Sequence, residues 1–136
     1  MNGMRALTKS VLILALITAG ALSSIGAIAT TSQSFDGRYS WSSGGSDRLS
    51  AEFTPDGDGA WKVRFDFRFD NKDNTWYGTA KGDLEEGAEV SGTTRWRGRT
   101  WTFDAHIDEG VMYGTHVEIR GRKERRSGTF EMSWRQ

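Results

Sequence analysis

The sequence predicts an all-β fold, an eight-stranded antiparallel up-and-down meander closed into a barrel, behind an N-terminal signal peptide. Three observations carry this expectation. Residues 60–70 read Ala-Trp-Lys-Val-Arg-Phe-Asp-Phe-Arg-Phe-Asp, with Trp61, Val63, Phe65, Phe67 and Phe69 on one parity and Lys62, Arg64, Asp66, Arg68 and Asp70 on the other. Side chains alternate across a strand with period two, so this segment is a half-buried strand that no helix accommodates. The rest of the chain repeats the scheme in short segments broken by turn signals. Small residues also share faces with bulky ones, as Gly78, Ala80 and Gly82 do with Trp76, which suits the crowded interior of a tapering barrel.

At the N-terminus, Arg5 and Lys9 precede the apolar run Val11 to Ile17, and Ala27-Ile28-Ala29 supplies an A-x-A arrangement before a polar stretch. That is the pattern of a secretory signal peptide cleaved after Ala29. An uncleaved anchor is the competing reading, but Thr18, Gly20, Ser23, Ser24 and Gly26 interrupt the run, and a spanning helix wants about 20 apolar residues. Residues 30–136 then form a single domain. Losing Arg5 and Lys9 lowers the basic count from 18 to 16 against 18 acids, so bulk charge argues against general nucleic-acid binding. There is no cysteine, hence no disulfide and no lipid-anchored cysteine at the cleavage site; the domain rests on a core supplied by 6 Trp, 7 Phe and 3 Tyr.

Strands are expected at about 35–42, 48–54, 60–69, 75–82, 88–96, 99–107, 111–120 and 127–134. Arg97-Gly98 as a two-residue loop sets Trp96 opposite Arg99 and Thr94 opposite Trp101. Asp108-Glu109-Gly110 as a three-residue loop sets Ile107 against Val111 and Ala105 against Tyr113. The Pro55 to Gly59 loop lets Phe53 face Trp61 and Ala51 face Val63. Tyr77-Gly78-Thr79 and Ser91-Gly92-Thr93 recur 36 residues later as Tyr113-Gly114-Thr115 and Ser127-Gly128-Thr129, an internal echo from which no function follows.

Alternate turns of a meander lie at the same end, so charge is sorted by end. One rim collects Arg95, Arg97, Arg99, Arg120, Arg122, Lys123, Arg125 and Arg126; the other collects Asp56, Asp58, Asp83, Glu85, Glu86, Asp108 and Glu109. Trp41, Phe67, Phe69, Trp76, Trp96 and Trp101 lie at the strand ends nearest the basic rim, with Arg99 expected over Trp96 as a cation–π contact. Trp41, Phe67, Phe69, Trp76, Trp96, Trp101, Arg97, Arg99, Arg122 and Arg126 are therefore the candidate ligand-binding residues. Such a rim suits a small molecule with an apolar body and an anionic head, unless the aromatics simply plug the barrel.

Phe35-Asp36-Gly37-Arg38-Tyr39 on the first strand, with Arg135 after the last, resembles the calycin group of barrels, the lipocalins and avidins. In those barrels a Gly-x-Trp packs beside an arginine of the last strand; here Gly37 and Arg135 match, and Tyr39 stands where Trp is expected. The resemblance implies small-molecule binding at the basic end. Biotin is not implied.

No catalytic constellation emerges. His106 and His116 are the only histidines, both expected to face outward, with His116 near Asp104. Neither Asp56-Gly57-Asp58-Gly59 nor Asp70-Asn71-Lys72-Asp73-Asn74 supplies the spaced acids of a calcium loop, so no metal or cofactor is expected. The expectation is a secreted or periplasmic, non-enzymatic barrel binding a small amphipathic or anionic molecule. The alternative is a protein-interaction module, an inhibitor or envelope-associated factor, that docks its Arg-rich hairpin 120–126 on an acidic partner. A small outer-membrane barrel stands third, set back because several strands are short for a bilayer and the chain lacks a terminal aromatic.

Overall fold

The computed structural model describes residues 31–136; the expected signal peptide and its cleavage point lie outside them. Eight strands follow in order: β1 (Gln33–Trp41), β2 (Ser46–Pro55), β3 (Ala60–Phe69), β4 (Lys72–Asp83), β5 (Gly87–Trp96), β6 (Arg99–Asp108), β7 (Val111–Arg120) and β8 (Lys123–Arg135). Each pairs antiparallel with the next, and β8 returns to β1, closing the barrel. Closure leaves no edge strand to template further pairing.

Turn chemistry sets each register. Arg97 and Gly98 both have positive φ, 54° and 73°, the signature of a type I′ turn, and Trp96 faces Arg99 and Thr94 faces Trp101 as expected. Asp70 and Asn71, at 51° and 58°, make an equally tight turn, so β4 starts three residues earlier than expected. Between β2 and β3 the pairing slides by two: Phe53 meets Val63, and Pro55 meets Trp61. A two-residue slide keeps every side chain on its expected face.

The β6–β7 hairpin departs from expectation in kind. Glu109 and Gly110, at φ 52° and 76°, form a two-residue turn, so Asp108 pairs with Val111 and Ile107 with Met112. One residue fewer in the loop reverses the strand. Met112, His116 and Glu118 are buried, while Tyr113 is 58% exposed. The last strand also begins four residues earlier than expected, with a register shift between Val117 and Ile119, so the basic hairpin is mostly strand with a tight tip at 121–122.

The core fills the lumen. At the acidic end Phe35, Phe53, Ile107, Met112 and Met132 are essentially inaccessible, Leu84 tucks in beneath, and Trp61 donates its indole N–H to the Gly82 carbonyl at 3.1 Å. Glycine permits two close approaches that shape the interior. A Cβ on Gly37 would sit 1.9 Å from the Glu131 carbonyl oxygen, on the β1–β8 seam. A Cβ on Gly128 would sit 2.0 Å from the Ser40 carbonyl oxygen and 2.4 Å from His116 Nε2, so this glycine makes room for the imidazole. Outward positions such as Arg64, Asp66, Asp104, His106 and Glu131 are charged or polar.

Candidate functional site at the basic end

The first, third, fifth and seventh turns bring the expected aromatics together. Trp41 lies 5.4 Å from Trp101 and 5.8 Å from Phe69, and Phe69 lies 5.1 Å from Trp96 between ring centroids. Trp76 packs 5.7 Å from both Trp96 and Trp101 and 5.5 Å from Phe67. Most pairs meet edge to face, the arrangement ring quadrupoles favour. Trp76 and Trp101 are buried, whereas Trp41, Phe67, Phe69 and Trp96 are partly open at the rim. The aromatics thus occupy most of the upper lumen. Beneath the rim a small cavity of about 40 Å³ remains, walled by Tyr39, Trp41, Phe67, Trp76, His116 and Phe130 among others, with room for a few water-sized groups.

Arginines cover this aromatic layer. Arg97 sets its guanidinium 4.5 Å from the Phe69 ring and 5.0 Å from the Trp96 ring while donating to Asp70 at 2.7 Å. Arg126 lies 4.9 Å over Trp41. The expected contact of Arg99 over Trp96 is not made. Arg99 sits on the inward parity of β6 and donates to Glu118 Oε1 at 2.9 Å instead, so Arg97 takes the place over Trp96. Arg122 stands at the exposed tip of the β7–β8 turn, and of the candidate arginines only Arg97 and Arg126 lie over the aromatic rings among the described residues.

Reversal of β7 turns two residues inward at this end, His116, which was expected to face outward, and Glu118. Glu118 is fully buried, pairs with Arg99 through one oxygen, and leaves Oε2 without a partner among the described residues. His116, 4% exposed, lies 4.8 Å from Trp41 and 6.3 Å from Trp76 between ring centroids. Burial pushes its pKa down to about 4, so the imidazole is neutral near pH 7. His116 Nε2, Trp76 Nε1 and Trp101 Nε1 also find no hydrogen-bond partner among the described residues. Four such atoms in one end of a small barrel are unusual, because buried polar groups are nearly always paired. Tyr39 is satisfied: its hydroxyl donates to the Arg68 carbonyl at 2.5 Å, and burial, then Asp47 and Asp70, raises its pKa.

Elsewhere the polar groups serve structure. His106 lies on the outer wall with Nδ1 2.5 Å from Glu89 Oε1, so the surface His–carboxylate contact belongs to His106 and not to His116. Asn74 accepts from Trp96 Nε1 at 2.9 Å, and Asp70 is held by Arg97. Gly37 seats β1 against β8, while Arg135 turns outward to Asp36. In comparisons with known proteins, no family model, no curated protein and no solved structure matches this chain.

Proposed function

We propose that this protein is a non-enzymatic barrel of an exported compartment that binds a small amphipathic molecule at its basic, Trp-rich end. The apolar part of the ligand lies among the rim aromatics, and an anionic group meets Arg97, Arg99 or Arg126. The observation that carries this reading is the set of four buried polar atoms that have no partner among the described residues, under an arginine-covered aromatic layer. Each such atom costs a fold about 1–3 kcal/mol, whereas an apolar replacement of similar shape would cost little. A barrel end kept merely as a plug gains nothing from them. The cavity is far smaller than the 300–1,000 Å³ of a drug-sized pocket. A ligand therefore displaces the partly open rim side chains Trp41, Phe67, Phe69 and Trp96 as it enters.

The closed eight-stranded meander is compatible with a calycin relationship, which implies ligand capture at this end, although Arg135 turns outward to Asp36 and does not pack beside Tyr39 as that motif requires. Charged outward positions favour a water-exposed wall over a lipid-facing one. One observation favours the second reading, a protein-interaction module: Arg120, Arg122 and Arg125 are exposed at the β7–β8 tip, and Arg122 stands apart from the aromatic site. Titration of the mature protein with fatty acids and anionic amphiphiles, followed by tryptophan fluorescence and native mass spectrometry, separates the two. Saturable quenching that weakens in Arg97→Glu and Arg126→Glu supports the binding barrel. Absence of quenching and of any adduct moves the case to a protein partner, whose capture Arg122→Glu would abolish.

A further inference from the structure

We infer that the basic end docks the protein on the face of an anionic lipid bilayer, with its rim rings at headgroup level and its arginines on lipid phosphates. This rests on the basic end being the binding surface and names lipid held in a membrane as the amphiphile it meets. Exposed arginines gather there, Arg95 and Arg97 around the fifth turn and Arg120, Arg122, Arg125 and Arg126 around the seventh. The acids of the same end are fewer: Asp47, Asp73 and Glu124, Asp70 engaged by Arg97 at 2.7 Å, and Glu118, buried and spent on Arg99. Because the other acidic turns lie at the far end of the barrel, the molecule's field turns this end toward a negative surface. Each arginine brought to an anionic leaflet then adds to the attraction.

Charge alone would suit an acidic protein equally well. The aromatic rings favour the bilayer. Arg126 over Trp41 joins the seventh turn to the first, Arg97 over Phe69 joins the fifth to the third, and Trp41 lies 5.8 Å from Phe69. Partly open rings and guanidinium groups therefore make one continuous rim around the barrel end, where a protein contact through the Arg-rich hairpin would need only its tip. Amphipathic rings settle at the headgroup level of a membrane, and a planar guanidinium grips phosphate through two N–H groups. A small molecule can part the rim rings. The chains of a bilayer lipid cannot follow it into an apolar cavity of about 40 Å³, so the lipid is met in place and not extracted.

The test is co-sedimentation of the mature protein with vesicles of mixed phosphatidylglycerol and phosphatidylcholine, against vesicles of phosphatidylcholine alone. Binding to the mixed vesicles only is expected. Arg122→Gln and Arg125→Gln alter exposed side chains, neither of them over a ring, and each should weaken that binding about fivefold. NMR of the unaltered protein supplies a readout independent of any variant's folding: a gadolinium chelate on a lipid headgroup should broaden the amide signals of turns 42–45, 70–71, 97–98 and 121–122 and spare turns 56–59, 84–86 and 109–110. Equal binding to both kinds of vesicle, or broadening confined to 121–122, would overturn the inference. Absence of vesicle binding while monomeric decanoate still quenches tryptophan fluorescence would overturn it and leave the small-molecule site standing. Failure of vesicles and decanoate alike would overturn the site together with it.

Discussion

At the scale of single residues, His116 and Glu118 are the expensive choices in this barrel. Burial holds the His116 pKa near 4 against an ordinary value of 6.5. The folded state therefore refuses a proton that the unfolded chain accepts between those values, and stability must fall as pH drops through that window. Above pH 6.5 nothing is lost, and below 4 both states are protonated and the loss levels off at roughly 3 kcal/mol. Urea unfolding from pH 7 to 4 should show this decline, shallower in His116→Phe; equal slopes for the two proteins would refute it. Glu118 behaves differently. Its partner Arg99 has a side chain 46% exposed, whereas Glu118 is inaccessible, so removing the arginine strands a carboxylate in the core. Arg99→Met should cost roughly 3 kcal/mol, and adding Glu118→Leu should restore most of it, because replacing both partners of a buried pair is often neutral. A double-mutant cycle in denaturant decides this, and additive losses would count against it.

At the scale of elements, β7 decides which residues reach the site, and it shows what the sequence conveys and what it withholds. On β3 the aromatic and charged residues separate cleanly by parity, so face and partners are legible. On β7 they do not: Val111, Tyr113, Val117 and Ile119 are more apolar than Met112, Gly114, His116 and Glu118, yet the second set is the inward one. Parity of hydrophobicity therefore misleads there, and only the loop could have corrected it. Glu109-Gly110 has the X-Gly form of Arg97-Gly98 and makes the same two-residue turn. The echo carried the same information, since aligning Gly114 with Gly78 sends both inward: a Cβ on either would strike a phenylalanine ring, Phe103 beside Gly78 and Phe130 beside Gly114. The clustering of the rim aromatics was legible because it needs only strand order; Glu118 was not, because it needs register to one residue. The register makes a sharp prediction. Tyr113→Ser should change stability by no more than about 0.5 kcal/mol, while Met112→Ala should cost about 2–5 kcal/mol, measured by thermal or denaturant unfolding. The reverse order would restore the three-residue loop.

At the scale of the whole molecule, near-neutral total charge conceals a separation along the barrel axis. The even-numbered turns carry Asp56, Asp58, Asp83, Glu85, Glu86, Asp108 and Glu109, and the odd-numbered end carries the arginines. An anion approaching in solution is thus oriented toward the end that holds the aromatic site, and long-range fields of this kind act on encounter more than on the bound state. Arg122 isolates the effect, because it is exposed at the tip of its turn and outside the aromatic cluster. If the basic end captures an anionic amphiphile, Arg122→Glu should slow its association several-fold at low salt while leaving dissociation unchanged. The difference should shrink toward 1 M salt, where the screening length falls to about 3 Å. Stopped-flow tryptophan quenching separates the two rates. A change in dissociation would instead place Arg122 in contact with the ligand, and an association rate indifferent to both charge and salt would mean that the separation of charge serves solubility and not capture.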